Sequence, residues 1–262
     1  MKNIIFIEGV SGVGKSTTVH KLSDKLRSLG YSVKSHVEGD PTSPLDLCWA
    51  AYFTIPEYEN LLIVYPTFAE ELSKNIIYRD DYILLRYQVE CTPLYSSELH
   101  AKLHKHEFCY NPVNTVPLSK FTEVFTNLWK EFAYNGVSEN DYVIFDASLV
   151  GHITNDLIRN YNASEAELVE HIETLLHIIR SMNPIIFYLS SDNVCERLIK
   201  ARDSRKQTPP DNGRIEFWEK RKQIDLSVLS QLSVQSQIID ITNEDWDSAI
   251  SYIASQVTNT YC

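Results

Sequence analysis

Gly9-Val10-Ser11-Gly12-Val13-Gly14-Lys15-Ser16 decides the reading of this chain. The stretch satisfies G-x-x-x-x-G-K-[ST], and its flanks give the pattern meaning. Ile4-Ile5-Phe6-Ile7 before it is a short apolar run suited to a buried parallel strand. Behind it Val19, Leu22, Leu26 and Leu29 recur near helical spacing, and Gly30 supplies a stop. An ordinary glycine turn ahead of a helix is the reading these flanks argue against. Glycines let backbone N–H groups curl around phosphate oxygens, and the helix N-terminus adds partial positive charge. In such a loop Lys15 reaches the β- and γ-phosphates, and the Ser16 hydroxyl ligates Mg²⁺. Gly9, Ser11, Gly12, Val13, Gly14, Lys15, Ser16 and Thr17 are therefore the expected phosphate cradle, and a nucleoside triphosphate the expected ligand.

Length and composition bound the rest. The chain has 262 residues, 44% of them hydrophobic, enough to bury a full core as one domain carrying an insertion. A formal charge of −11 argues against a nucleic-acid surface, which needs surplus Lys and Arg. It leaves room for a local basic phosphate pocket and suits a cationic small molecule. The cysteines (Cys48, Cys91, Cys109, Cys195, Cys262) are odd in number and form no C-x-x-C pair, as for free thiols in a reducing compartment. The first strand starts too early to leave room for a signal peptide, and no apolar run approaches a membrane span. A cytoplasmic protein is expected. Its expected partners are a small-molecule acceptor and at most a second copy of the chain, with no nucleic acid and no membrane.

Strands and helices alternate at both ends, with something different between them. Strands are expected over 3–8, 31–37, 142–146, 184–189 and 237–241. Helices are expected near 15–29, 150–160, 164–181, 192–205, 214–232 and 246–257. Between Pro41 and Tyr134 the pattern gives a loop-rich stretch punctuated by Pro41, Pro44 and Pro56. A helical piece falls near Leu45 to Phe53, with helices over 67–78, 94–106 and 118–134, and an ambiguous run over 82–89. Parallel strands joined by helices imply an α/β fold: a doubly wound parallel sheet of about five strands, with active loops at the strands' carboxyl ends. The mostly helical insertion, 41–135, should carry substrate choice. The whole of 1–262 is read as one domain.

Other chemistry-bearing residues can be placed on that frame. Glu38 and Asp40 follow the second strand, on the sheet edge that bears the phosphate loop. A carboxylate there can take a proton from an attacking hydroxyl or hold a substrate, or it can be a solvated loop acid. Asp146 ends an apolar strand, the position of a carboxylate that orients Mg²⁺, and an N-cap role is compatible with that. Ser16 and Asp146 are thus the expected metal residues. Arg197, Arg202, Arg205 and Lys206 form a basic cluster in an acidic chain, read as a lid over 192–214 that clamps phosphates, with Arg205 and Arg202 foremost. The alternative is a solvated face paired with Glu196 and Asp203. Pro209, Pro210 and Gly213 mark a break suited to a closing lid. His100, His104, His106 and Cys109 superficially resemble a zinc site, but no second cysteine pair completes it. Trp49, Tyr52, Phe53, Arg79, Arg86 and Tyr87 could line an acceptor pocket, Trp49 and Arg86 foremost, although aromatic residues at such spacing are more often core.

Phe6-Ile7-Glu8-Gly9 through Thr17-Thr18 resembles the opening of thymidylate kinases and deoxynucleoside kinases. The ending is similar too: an apolar strand, an Arg-bearing helix, then Ile239-Asp240-Ile241-Thr242 leading into a Trp-containing helix. The resemblance covers about 1–40 and 140–257. It implies a nucleoside monophosphate kinase-like fold that transfers the γ-phosphate of ATP with Mg²⁺. It places Glu38 where deoxynucleoside kinases carry a catalytic carboxylate and Asp146 where both families carry an acid, so Lys15, Glu38, Asp146, Arg202 and Arg205 are the expected catalytic residues. Two departures stand out. Deoxynucleoside kinases read Glu-Pro where this chain reads Glu38-Gly39-Asp40-Pro41, and both families place an Arg after the acid where this chain has Asp146-Ala147-Ser148. The second departure counts against a nucleotide acceptor, and kinases of antibiotics and other small alcohols share the wider superfamily. A regulatory phosphate-loop ATPase that binds a protein partner is the competing class. A GTP switch would need Asn-Lys-x-Asp, which the chain lacks.

Overall fold

The computed structural model describes residues 3–40, 42–88, 95–109, 111, 116–135 and 140–258. Pro41, Val89, Cys91, Leu94 and Cys262 lie outside the described residues. The strands are β1 (Asn3–Glu8), β2 (Val33–His36), β3 (Ala50–Thr54), β4 (Ile76–Tyr78), β5 (Tyr82–Arg86), β6 (Tyr142–Asp146), β7 (Pro184–Ser190) and β8 (Ser236–Asp240). The helices begin with α1 (Lys15–Ser28), α2 (Ile55–Val64), α3 (Ala69–Lys74), α4 (Ser97–Lys105) and α5 (Leu118–Asn135). They continue with α6 (Gly151–Tyr161), α7 (Glu165–Ile179), α8 (Val194–Ser204), α9 (Asn212–Leu229) and α10 (Trp246–Thr258). The described residues fall into two compact units. One draws on Met1–Glu38, Val124–Thr154 and Ala163–Cys262, the other on Gly39–Glu123 and Asn155–Asn162.

The first unit is a five-stranded sheet in the order β2-β6-β1-β7-β8, with every pair parallel. All six residues of β1 are buried, which is why it reads as a continuous apolar run rather than an alternating one. Ile5 and Ile7 face a core shared with Val19, Leu22 and Leu26 of α1 and Ile250 and Ile253 of α10. Phe6, on the opposite face, stacks on Phe145 and on the fully buried Trp129 of α5. Register sets what reaches the carboxyl edge: Ile7 pairs with Asp146, and Glu8 with Tyr188. The chain leaves β1 toward one side of the sheet and leaves β7 toward the other. The crevice between those loops is where open α/β sheets bind ligands.

The second unit contains a three-stranded antiparallel sheet, β3-β5-β4, packed with α2 and α4 around Phe53, Leu61, Ile83 and Leu99. Here local pattern misleads. The helix expected near Leu45 to Phe53 is replaced by β3, which pairs with β5 from Ala50↔Arg86 to Thr54↔Tyr82. Trp49 just before it takes a φ of +58°, incompatible with a helix interior. Pro56 does not punctuate a loop but opens α2, where its missing N–H costs nothing, and Thr54 and Glu57 form a capping box. The helix expected over 67–78 breaks into a 3₁₀ turn at Pro66–Phe68, the short α3, and β4. Ile76 and Ile77 find ladder partners in Leu85 and Leu84, and tertiary pairing overrides helix propensity. The ambiguous run settles as strand β5, and the second strand begins at Val33 rather than Tyr31.

Candidate active site

The loop after β1 folds so that only glycine fits at its tightest points. Gly12 has a φ of +81°, and a Cβ there would lie 2.8 Å from the Arg197 carbonyl oxygen. Gly14 has a φ of +96°, and its Cβ would lie 2.3 Å from Cη2 of Trp246. Lys15 opens α1 and donates from Nζ to the Val10 carbonyl at 3.1 Å, so its ammonium already spans the loop. Ser16 donates from Oγ to Oδ2 of Asp146 at 2.6 Å. Asp146 is buried at the end of β6, and its Oδ1 has no hydrogen-bond partner among the described residues. A buried carboxyl oxygen left without a donor, beside a serine hydroxyl, is chemically suited to a hard oxygen-seeking cation such as Mg²⁺.

A cleft of about 340 Å³ opens over this loop. Its lining combines the phosphate loop, from Ser11 to Thr17 without Val13, with Glu38, with Arg197, Lys200 and Arg205, and with Glu244 and Trp246. Glu38 is exposed, with Oε1 3.9 Å from Nε2 of His152 at the start of α6. Arg205 lines the cleft, whereas Arg202 does not, because its Nε donates to the Thr208 carbonyl and closes the turn after α8. Arg197 is buried. It donates to the Ile241 and Thr242 carbonyls at 2.5 and 3.3 Å, pairs with Glu244 at 2.8 Å and lies over the Trp246 ring. It acts as a strut joining α8 to the loop before α10. Glu244 also receives Lys200, and the two cations hold its carboxyl below the usual range, Lys200 contributing most.

The remaining candidates are occupied elsewhere. Asp40 accepts from the Thr42 amide and hydroxyl at 2.8 and 2.7 Å, making a turn of its own loop. Trp49 and Arg86 belong to the second unit. The Trp49 amide donates to Glu107, and both terminal nitrogens of Arg86 donate to the Ser43 carbonyl at 3.2 Å. Phe53 and Tyr87 are core, and Tyr52 stacks between Tyr82 and Phe108. In the histidine cluster, His104 pairs with Glu107 at 3.0 Å, His106 stacks on Phe53 and His100 meets the edge of Tyr87. Cys109 is buried, which pushes its thiol up.

Several residues had no role in the sequence reading. Glu8, the last residue of β1, is fully buried and accepts from the Leu149 and Gly151 amides at 2.9 and 2.7 Å. Burial raises its carboxyl to about 7, against the pull of the amides of 149–151 and the charge of Lys15. Arg221 and Asp225 of α9 pair at 2.7 Å with almost no exposed surface, and the Tyr188 hydroxyl donates to Asp225 at 2.9 Å. Glu8 stood in the motif itself, yet burial is what gives it a task. Arg221 and Asp225 carry no such signal, since an i, i+4 pair usually marks a solvated helix face.

A glycine loop after the central strand, a helix starting at its lysine, and an aspartate ending the neighbouring strand define the α/β fold of phosphate-loop proteins. No protein-family model matches the chain, and no curated protein matches it. Among solved structures, one match is the thymidylate kinase of Candida albicans, described as revealing the origin of broad substrate specificity and a novel structural element. It is 16% identical, the match covers 99% of this chain and 92% of that one, and the TM-score is 0.46. Among the described residues, no helix is long and apolar enough to cross a membrane.

Proposed function

We propose that the protein is an ATP-dependent phosphotransferase that moves the γ-phosphate to a hydroxyl of a small molecule. The observation that carries this reading is one cleft lined by Lys15, Ser16, Glu38 and Arg205. A bare phosphate loop accounts for the first two; Glu38 adds a carboxylate able to take a proton from an acceptor hydroxyl, and Arg205 a second cation for the transferred phosphate. Ser16 and Asp146 would hold Mg²⁺, which when bound neutralises charge between the β- and γ-phosphates. Glu38 accepts the proton of the attacking hydroxyl as its oxygen bonds to the γ-phosphorus. The bond from that phosphorus to the bridging oxygen breaks, and ADP leaves. Lys15 and Arg205 stabilise the charge on the transferred group, and a dry, fixed geometry makes those contacts count.

Position 147 favours an acceptor that brings no phosphate of its own. Resembling kinases carry an arginine there, whereas Ala147 is buried at a φ of +56°, its Cβ pressed toward Gly151. An antibiotic or another small alcohol is therefore as compatible as a nucleoside, and the same fold serves both. The test is ATP turnover across nucleosides, nucleoside monophosphates and hydroxyl-bearing antibiotics, with Lys15→Ala as the blank. A phosphorylated product in step with ADP from one class supports the reading and names the acceptor. ADP and free phosphate with every acceptor alike overturn it in favour of an ATPase with a protein partner.

A further inference from the structure

The turn that follows Asp146 is held from two sides by buried ionisable side chains that the proposed chemistry leaves unused. Ala147 enters it with a left-handed φ of +56°, a conformation costing a non-glycine residue roughly 1–2 kcal/mol, so the turn needs external support. Glu8 takes its donors, the Leu149 and Gly151 amides at the start of α6. Arg221 takes its acceptors. Nη2 donates to the Val150 carbonyl at 2.9 Å and to that of Gly151 at 3.0 Å, while Nε is fixed on Asp225. The circuit closes through the sheet, because Tyr188 donates to Asp225 and is the register partner of Glu8 on the adjacent strand. Glu8, Tyr188, Arg221 and Asp225 are all at most 1% exposed.

A buried ion pair stabilises a fold little, since desolvation offsets most of its attraction. What this one supplies is position. A planar guanidinium can reach a carboxylate and two carbonyls at once, which a lysine ammonium cannot do in the same plane. We infer that Arg221, tied through Asp225 to Tyr188, is a positioning residue that sets the 147–151 turn and so aims the Asp146 carboxylate and Ser16 at the divalent cation. The inference rests on Ser16 and Asp146 being the Mg²⁺ residues. Because α9 starts directly after the segment that follows Arg205, the residue that fixes the metal carboxylate also sits on the helix that carries the lid's far end.

The test compares binding of a fluorescent ATP analogue with and without Mg²⁺ in wild type, Asp146→Asn, Arg221→Lys and Tyr188→Phe. Arg221→Lys keeps the charge that Asp225 needs, so the fold is retained while the bridge is lost. Its Mg²⁺-dependent gain in affinity should fall about tenfold, the lower end of what groups supporting metal ligands are worth. Tyr188→Phe should fall in the same direction by less, and metal-free affinity should stay unchanged in both. In the nucleotide-free protein, the Leu149 and Gly151 amides should exchange faster in Arg221→Lys. A full gain in Arg221→Lys and Tyr188→Phe, beside its loss in Asp146→Asn, overturns the positioning role alone. No gain in wild type, or a gain that survives Asp146→Asn, overturns the metal reading beneath it.

Discussion

Glu8→Gln separates the cost of a buried carboxylate from the bonds it makes. Loss of water raises the Glu8 carboxyl from 4.5 to about 7, only partly offset by three backbone amides and Lys15. Between those two values the folded chain holds a proton that the unfolded chain has released. The stability contributed by this group is therefore complete below about pH 4.5 and drains away as pH rises through 7. At about 1.4 kcal/mol per pH unit, the drain is on the order of 3 kcal/mol, a large part of a typical stability of about 5–15 kcal/mol. No surrounding water screens it, because the side chain has no exposed surface. Glutamine stays neutral throughout. It gives up one amide partner at a cost of about 1–3 kcal/mol, but that cost does not vary with pH. Urea unfolding of both proteins from about pH 5 to about pH 8, at one ionic strength, reads the difference. The wild-type advantage should shrink by roughly 3 kcal/mol across that range. A difference that stays flat, or widens with pH, refutes the assignment of a raised carboxyl at this position.

Three further outcomes follow from the geometry. Gly14→Ala meets both left-handed strain of about 1–2 kcal/mol and a Trp246 carbon 2.3 Å from its new methyl, so the thermal shift induced by ATP should vanish. Arg205→Ala should lower kcat about a hundredfold by removing a cation from the cleft, whereas Arg202→Ala, losing a turn contact worth about 1 kcal/mol, should leave turnover within about threefold; equal losses in the two would remove Arg205 from its assigned place. Thr54→Ala breaks the capping box of α2 and should cost about 1 kcal/mol, read as faster amide exchange in the first turn of that helix with α1 unaffected.

What the sequence disclosed followed from whether local pattern and burial agree. β1, β6 and β7 are buried on both faces, so Ile4 to Ile7, Val143 to Phe145 and Ile185 to Leu189 announce themselves as apolar runs. The phosphate loop was legible because a backbone that must approach an anion admits few residue types, and glycine spacing records that constraint. In the second unit the strands are made by partners far away in sequence. β3 has no alternation to show, because Ala50, Ala51 and Phe53 are all buried, and Tyr52 is held by stacking between Tyr82 and Phe108. Pro56 and Thr54 carried a real signal, a helix start, that a reading of proline as punctuation passes over.

For the site, residue type alone could not distinguish a side chain available to a ligand from one committed to the fold. Arg202 and Arg205 look equivalent in the sequence, three residues apart in one basic cluster. The turn after α8 commits one to the Thr208 carbonyl and leaves the other lining the cleft. Arg86 suits an anion by composition, yet its guanidinium secures the Ser43 carbonyl, and Asp40 closes its own turn on Thr42. The inverse error is Arg221 and Asp225. Spaced like a surface pair on a helix with no apolar stripe, they were invisible as buried groups until α9 packed them against Tyr188 and the Val150–Gly151 carbonyls. Both errors have one origin. A charged side chain advertises its chemistry in the sequence, but burial and partners decide whether that chemistry is turned toward a ligand or toward the backbone. At this carboxyl edge Arg197 and Arg221 are committed to backbone carbonyls of the loops around the phosphate loop, whereas Arg205 lines the cleft.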